Sequence, residues 1–311
     1  MSAGQHHQRK SKISEEVLEA QREKSRKKLG EYRKLTDALS KKRRDDIYDN
    51  EAFDLTTKIL AMCPEYYTMW NYRRKIMLDR RKTLSDEAYQ SLCLSELKLA
   101  DEALKANPKS YWVWNHRRWL LENMPEPTWA RELKLLGGLL DMDARNFHGW
   151  GHRRYVIAAS HARTPLEEFN YTSEKIAQNF SNYSAWHYRS KVLLLAFDDE
   201  KEREGVLDKE FELVRNAIYT EPADQSAWLY QRWLLSLVEN DTTRWESELQ
   251  SVRELVDLEP DSKWALLTMV HMLTKLSNPE SLTEAREILQ RLEVIDPDRR
   301  EYHRDLARAL S

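Results

Sequence analysis

Three features of this 311-residue chain point to an all-α protein built from stacked helical hairpins. Turn-forming residues are scarce, the composition favours helix, and a tryptophan recurs at a nearly constant interval. Only 7 Gly and 9 Pro occur, too few for the special turns that a sheet-rich chain of this length needs. The abundant Leu, Ala, Glu, Lys and Arg are good helix formers. With 41% hydrophobic and 33% charged residues, the chain can bury a large core in one elongated or two compact domains.

The repeat is visible when the segments PEYYTMWNYRRKIM, PKSYWVWNHRRWLL, ARNFHGWGHRRYVI, FSNYSAWHYRSKVL, PADQSAWLYQRWLL and PDSKWALLTMVHML are aligned. Their anchors are Trp70, Trp114, Trp150, Trp186, Trp228 and Trp264, at intervals of 44, 36, 36, 42 and 36 residues. A nearly fixed period with variable joints is the signature of a solenoid.

Residues 1–50 read as a charged leading segment, helical from about Ser14, and residues 51–311 as the repeat domain. Phe53 to Met62 supplies the first helix of hairpin one, and Trp70 lies on the second. In hairpin two, Leu97, Ala100, Ala103 and Leu104 recur at spacings of three and four within Glu96 to Ala106, so they share one helical face. A short polar turn, often with Pro or Asn, then leads into the tryptophan helix, as in antiparallel helical hairpins. The pattern repeats through Trp264. A seventh, degenerate copy runs from Leu282 to Ile295, turns at Asp296 to Asp298, and ends on Tyr302 to Leu310 without a tryptophan. A terminal hairpin has no further neighbour to cover, so losing the anchor suits a cap.

Four repeats place an arginine three residues after the tryptophan: Arg73, Arg117, Arg153 and Arg189. Arg74, Arg118 and Arg154 follow the first three, and Arg232 comes four after Trp228. Residues three or four apart share a helix face. These pairs are expected to be packing anchors, with the indole buried between hairpins and the guanidinium stacked on it while donating to carboxylates or turn carbonyls of the next repeat.

Other signals narrow the function. Cys63 and Cys93 give neither a disulfide framework nor a metal spacing, which suits a reducing cytoplasm. No apolar run approaches the roughly 20 residues of a membrane span, and the first 14 residues lack a signal-peptide core. The net charge of −2 conceals +5 on residues 1–50, where 14 Lys+Arg face 9 Asp+Glu. Glu15, Glu16, Glu19, Glu23 and Glu31 interrupt the basic residues, so the segment reads as a solvated helix rather than a nucleic-acid stripe. The nine histidines form no HExxH or Cys/His cluster. A glycine-rich phosphate loop and a nucleophile elbow are also missing.

From Phe53 onward the array resembles the protein prenyltransferase α-subunit repeat: Asn or Ser, then Ala, Val or Thr before Trp, two variable residues, and Arg. The segments PEPTWARELKLL, NFSNYSAWHYRS, DQSAWLYQRWLL and KWALLT look like the Rab geranylgeranyltransferase type, in a compact form without inserted or C-terminal extra domains. The resemblance implies a right-handed, tetratricopeptide-like crescent of about seven hairpins wrapped around a β-subunit. That β-subunit would hold zinc and the isoprenoid pocket, and this chain would bind no metal. Geranylgeranyl diphosphate would lie at the subunit interface, and an escort protein would present a Rab GTPase as acceptor.

The resemblance also implies a site in the turns ahead of the anchors. Lys109 and Tyr111 match the family positions that approach the isoprenoid diphosphate. Asn146 and His148 occupy the corresponding place one repeat later. The family commonly has Tyr before that histidine, whereas Phe147 stands here and no hydroxyl role carries over. Lys109 and His148 are the expected catalytic residues, and Tyr111 and Asn146 the expected interface-lining ones. A farnesyltransferase or type I geranylgeranyltransferase α-subunit, and a non-enzymatic scaffold built from the same repeat, are the competing readings.

Overall fold

A computed structural model describes residues 15–310, and among them every regular element is helical. The leading helix α1 (Glu15–Arg44) is followed by α2 (Asn50–Met62) and α3 (Tyr67–Arg81), then α4 (Asp86–Ala106) and α5 (Tyr111–Asn123). Next come α6 (Trp129–Met142) and α7 (Phe147–Ser160), α8 (Pro165–Gln178) and α9 (Tyr183–Ala196), and α10 (Glu200–Thr220) and α11 (Gln225–Leu237). The last pairs are α12 (Thr242–Leu258) with α13 (Lys263–Leu276), and α14 (Pro279–Ile295) with α15 (Arg300–Ala309) across a 3₁₀ turn at Pro297–Arg299. The chain forms two compact units, Met1–Glu132 and Leu133–Ser311, with the boundary inside α6. The seven hairpins expected from the tryptophan period are all present, including the degenerate last one.

The first six hairpins share one turn design. Each turn is four residues long, and its last residue is the N-cap of the second helix, four before the tryptophan in the first five hairpins but four before the buried Leu266, not Trp264, in the sixth. Asn146, Asn182 and Asp224 cap through their side chains, accepting from the backbone N–H of Gly149, Ala185 and Ser226. Such caps satisfy donors that a helix start otherwise leaves open.

The tryptophan closes the turn from the other side. The indole Nε1–H of Trp70, Trp114, Trp150, Trp186 and Trp228 donates to the carbonyl six residues earlier, on Pro64, Pro108, Ala144, Phe180 and Pro222, at 2.7–2.9 Å. All five rings are at most 5% exposed. The indole therefore fills the space between helices and also fastens its own turn, because a buried N–H needs an acceptor. Trp264, expected as an equal sixth anchor, departs from this pattern. It is only half-buried, borders a cleft of about 500 Å³ beside Pro260 and Lys263, and lies 4.9 Å beneath the Arg299 guanidinium.

The arginines three residues on join one hairpin to the next. Arg73 donates through Nε and Nη2 to both oxygens of Glu96 at 2.6 Å, and Arg189 does the same to Glu210. Arg117 clasps Glu132 at 2.5 and 2.7 Å, and Arg153 clasps Glu168 at 2.9 and 2.6 Å. In each case the glutamate sits on the first helix of the following hairpin. Two parallel charge-assisted bonds fix both the distance and the plane of the pair. The remaining Nη1 of Arg73 bonds to the Phe53 carbonyl, Thr56 and Thr57, and that of Arg189 bonds to the Phe169 carbonyl, Thr172 and Ser173.

The expected acceptor is thus a carboxylate of the next repeat, but the expected stacking partner needs correcting. The guanidinium faces lie on Phe53 (3.8 Å), Phe169 (3.7 Å) and Tyr171 (3.4 Å), not on the anchoring indole of their own repeat. Those indoles pack against His116, Tyr188 and Tyr230 of the next repeat, and the guanidinium finds the aromatic of a first helix instead.

The fifth joint differs because Gln231 stands where the others have arginine. Its Nε2 donates to Glu248 at 3.0 Å, and the Arg215 Nη2 reaches the other oxygen at 3.2 Å. The electrostatics follow. Burial pushes the Glu96 carboxyl up, but the bonds from Arg73 and His116 outweigh it and hold the group at about 2. Burial dominates at Glu248, which is raised above the usual carboxylate range.

Candidate functional site

The four-residue turns carry exposed apolar groups. The residue that opens the second helix is aromatic in four successive hairpins: Tyr67 and Tyr111 in the first unit, Phe147 and Tyr183 in the second, 44–62% exposed. The first helices also end in exposed apolar residues, Met62 in the first unit and Met142, Leu258 and Val294 in the second. Within each unit, water-facing aromatics at this one register position are of the residue type in which protein contact surfaces are enriched.

In the first unit, Lys109 is exposed in the turn between α4 and α5, its backbone N–H accepted by the Asn107 side chain at 3.2 Å. Tyr111 follows at the start of α5 with 62% of its surface exposed. Ser110, the N-cap between them, is buried and makes no side-chain cap bond, unlike Asn146 and Asn182. The α5 start is the positive end of a helix dipole, which favours an anion, and Lys109 precedes it by two residues.

In the second unit, Asn146 is 1% exposed and its Oδ1 accepts from the Gly149 N–H at 3.0 Å. Its side chain is committed to starting α7, so it shapes the turn from within instead of lining its surface. His148 is 9% exposed, its ring centroid 3.9 Å from that of Phe147. The register of these four residues also needs correction. Counted back from the anchor, Lys109 and Tyr111 correspond to Arg145 and Phe147, whereas Asn146 corresponds to Ser110 and His148 to Trp112. The two turns share an architecture, not a set of equivalent functional side chains.

Sequence reasoning missed the glutamates of the ladder and the repeated exposed aromatic. The aromatic could have been found by reading the column three residues before each tryptophan. Among the described residues no group of three or more His, Cys, Asp or Glu is placed to hold a metal ion. Cys63 and Cys93 are free thiols, and burial pushes Cys93 up to about 11. Among the described residues no helix is long and apolar enough to cross a membrane.

Comparison with known proteins agrees with this architecture. The model of the protein prenyltransferase alpha subunit repeat matches residues 49–79, 93–124, 129–160, 165–196 and 207–238, one match for each of the first five hairpins. The chain belongs to the protein prenyltransferase α-subunit family. Over 304 residues it is 39% identical to geranylgeranyl transferase type-2 subunit alpha of Dictyostelium discoideum, covering 96% of this chain and 97% of that one. It is 45% identical over 239 residues to the subunit of the same name from Rattus norvegicus, covering 75% of this chain but 42% of the rat protein. The chain thus matches less than half the length of that mammalian relative. Candida albicans protein geranylgeranyltransferase-I, solved in complex with GGPP, shares the fold with a TM-score of 0.73 over 91% of both chains at 22% identity.

Proposed function

We propose that this chain is the α-subunit of a type-2, Rab-directed geranylgeranyltransferase. With a β-subunit it transfers geranylgeranyl from geranylgeranyl diphosphate to C-terminal cysteines of Rab GTPases presented by an escort protein. The observation that carries the reading is the 39% identity to a type-2 α-subunit over nearly the whole of both chains. The repeated exposed aromatics supply the kind of surface that a β-subunit covers. Zinc, which would activate the acceptor thiolate, is assigned to the β-subunit.

In the proposed reaction the cysteine sulfur attacks carbon 1 of the isoprenoid as the bond from that carbon to the diphosphate oxygen breaks. Negative charge then grows on the departing diphosphate. Lys109 and the uncapped start of α5 offer a fixed ammonium and oriented N–H groups to that charge, which lowers the barrier if they act more strongly in the transition state than in the ground state. Tyr111 contributes an exposed ring beside them, and His148, packed against Phe147 in the second unit, is assigned to that unit's own contact with the β-subunit. Asn146 acts as a positioning residue.

The test is single-turnover transfer by the heterodimer carrying Lys109→Ala. The rate is expected to fall on the order of 10²-fold, as when one oxyanion-hole donor is removed, with a smaller change in lipid affinity. Lys109→Arg should recover part of it, because the charge remains while its shape changes. Assembly with parental single-turnover rate in Lys109→Ala would remove the residue from the chemistry. Preference for farnesyl diphosphate, or for acceptors other than Rab, would favour the farnesyltransferase or type I reading.

A further inference from the structure

We infer that the solvent face of α1 is an adhesion surface for an anionic membrane. The segment Arg22–Arg44 carries eleven Lys+Arg against three Asp+Glu, a net charge of +8. Three of the acidic residues that interrupt the basic run in sequence, Glu15, Glu16 and Glu19, lie before this segment. Within it the helix sorts the cations into two rows. Arg22, Arg26, Arg33 and Arg44 fall within about 40° of one another at about 100° per residue. Lys27, Lys34 and Lys41 recur every seven residues and form a parallel row. All seven are exposed. Leu39 is buried, and Tyr32, Leu35 and Thr36 are partly covered on the side away from both rows.

Little within the chain neutralises this face. Lys27 pairs with Glu23 at 3.0 Å, with both side chains largely exposed. Among the described residues no carboxylate forms an ion pair with Arg22, Arg26, Arg33, Lys34, Lys41 or Arg44. Asp37 is the other acidic residue between the rows. The rows extend along about 33 Å of helix, at 1.5 Å per residue.

Shape selects the partner. A convex cylinder touches a plane along a line, so a straight row of arginines can meet a charged bilayer at every residue. Binding a single nucleic-acid strand calls for a groove with aromatic stacking platforms, and an acidic peptide is best held in a concave pocket. The exposed cations instead run along the outside of a helix, a convex surface. Leu18 and Leu29 are exposed and lie close to the line of Arg22 and Arg33, where aliphatic groups can settle among lipid headgroups. Each basic residue near an anionic leaflet strengthens binding roughly fivefold. The inference concerns adhesion alone and does not depend on the transfer reaction, so its failure would leave that reading untouched.

The test is sedimentation of the purified heterodimer with phosphatidylcholine vesicles, with and without about one third phosphatidylserine. Binding is expected only to the anionic vesicles and should fall steeply between low and physiological salt. The triple variant Lys27→Glu, Lys34→Glu, Lys41→Glu should bind at least about 100-fold more weakly, with its helix content and melting temperature unchanged. Equal binding to neutral vesicles, or full retention by the triple variant, overturns the inference. So does an absence of vesicle binding in a heterodimer that binds single-stranded RNA or poly-glutamate through α1, which would make the face a site for acidic polymers.

Discussion

Replacing Glu96 with Gln tests the arginine ladder, because the fold contains its own control. Glu96 is 3% exposed and accepts both Arg73 bonds at 2.6 Å. Its carboxyl is held at about 2 although burial alone would raise it. Measured from the ordinary 4.5, at about 1.4 kcal/mol per pH unit, the depression corresponds to about 3 kcal/mol of stabilisation. The folded-state value is depressed, so this stabilisation is complete above pH 4.5 and is lost as the pH falls toward 2. Removing the charge also leaves Arg73 buried without its counterion, a loss that commonly costs about 3–5 kcal/mol.

Glu248 is equally buried, but it faces Gln231 and its carboxyl is raised. Ionisation there opposes folding, so Glu248→Gln is expected to change stability by no more than about 1 kcal/mol at neutral pH. The assay is urea denaturation of both variants as heterodimers, followed by circular dichroism at pH 7 and again near pH 4. Glu96→Gln should unfold at distinctly lower urea at pH 7, and its deficit should shrink toward pH 4 as the parent begins to lose the same interaction. Equal losses in the two variants, or a deficit for Glu96→Gln that does not depend on pH, would refute the ladder as a charge-based joint.

Trp150→Ala removes a ring that is 2% exposed together with its bond to the Ala144 carbonyl, and should cost about 3–5 kcal/mol. Trp264→Ala, at a half-buried site, should cost clearly less, and equal melting temperatures for the two variants would contradict the distinction drawn between these anchors. His161 ends α7 in the left-handed region at φ 51°. His161→Gly is therefore expected to stabilise the protein by about 1 kcal/mol, read as a higher melting temperature.

The sequence by itself determined the all-α class, the seven hairpins and the positions of their turns. These depend on spacings of three and four residues and on a tryptophan period, all of which are local. It also indicated which arginines matter, since Arg73, Arg117, Arg153 and Arg189 keep one register with the anchor. It did not identify their partners. Glu96, Glu132, Glu168 and Glu210 lie 15–23 residues further along, beyond connections whose lengths vary, and no fixed spacing marks them among 52 acidic residues.

Tertiary structure decided that pairing, because a bidentate bond depends on where two helices pass in space. It also decided burial within the turns. Asn146 and Phe147 are neighbours in sequence, yet the first turns inward to cap α7 while the second stands 57% exposed. A cap must reach the backbone of its own helix, and the next residue, already helical, projects in a different direction. Which residues of the turn could meet a partner was therefore settled by the helix start, not by residue type.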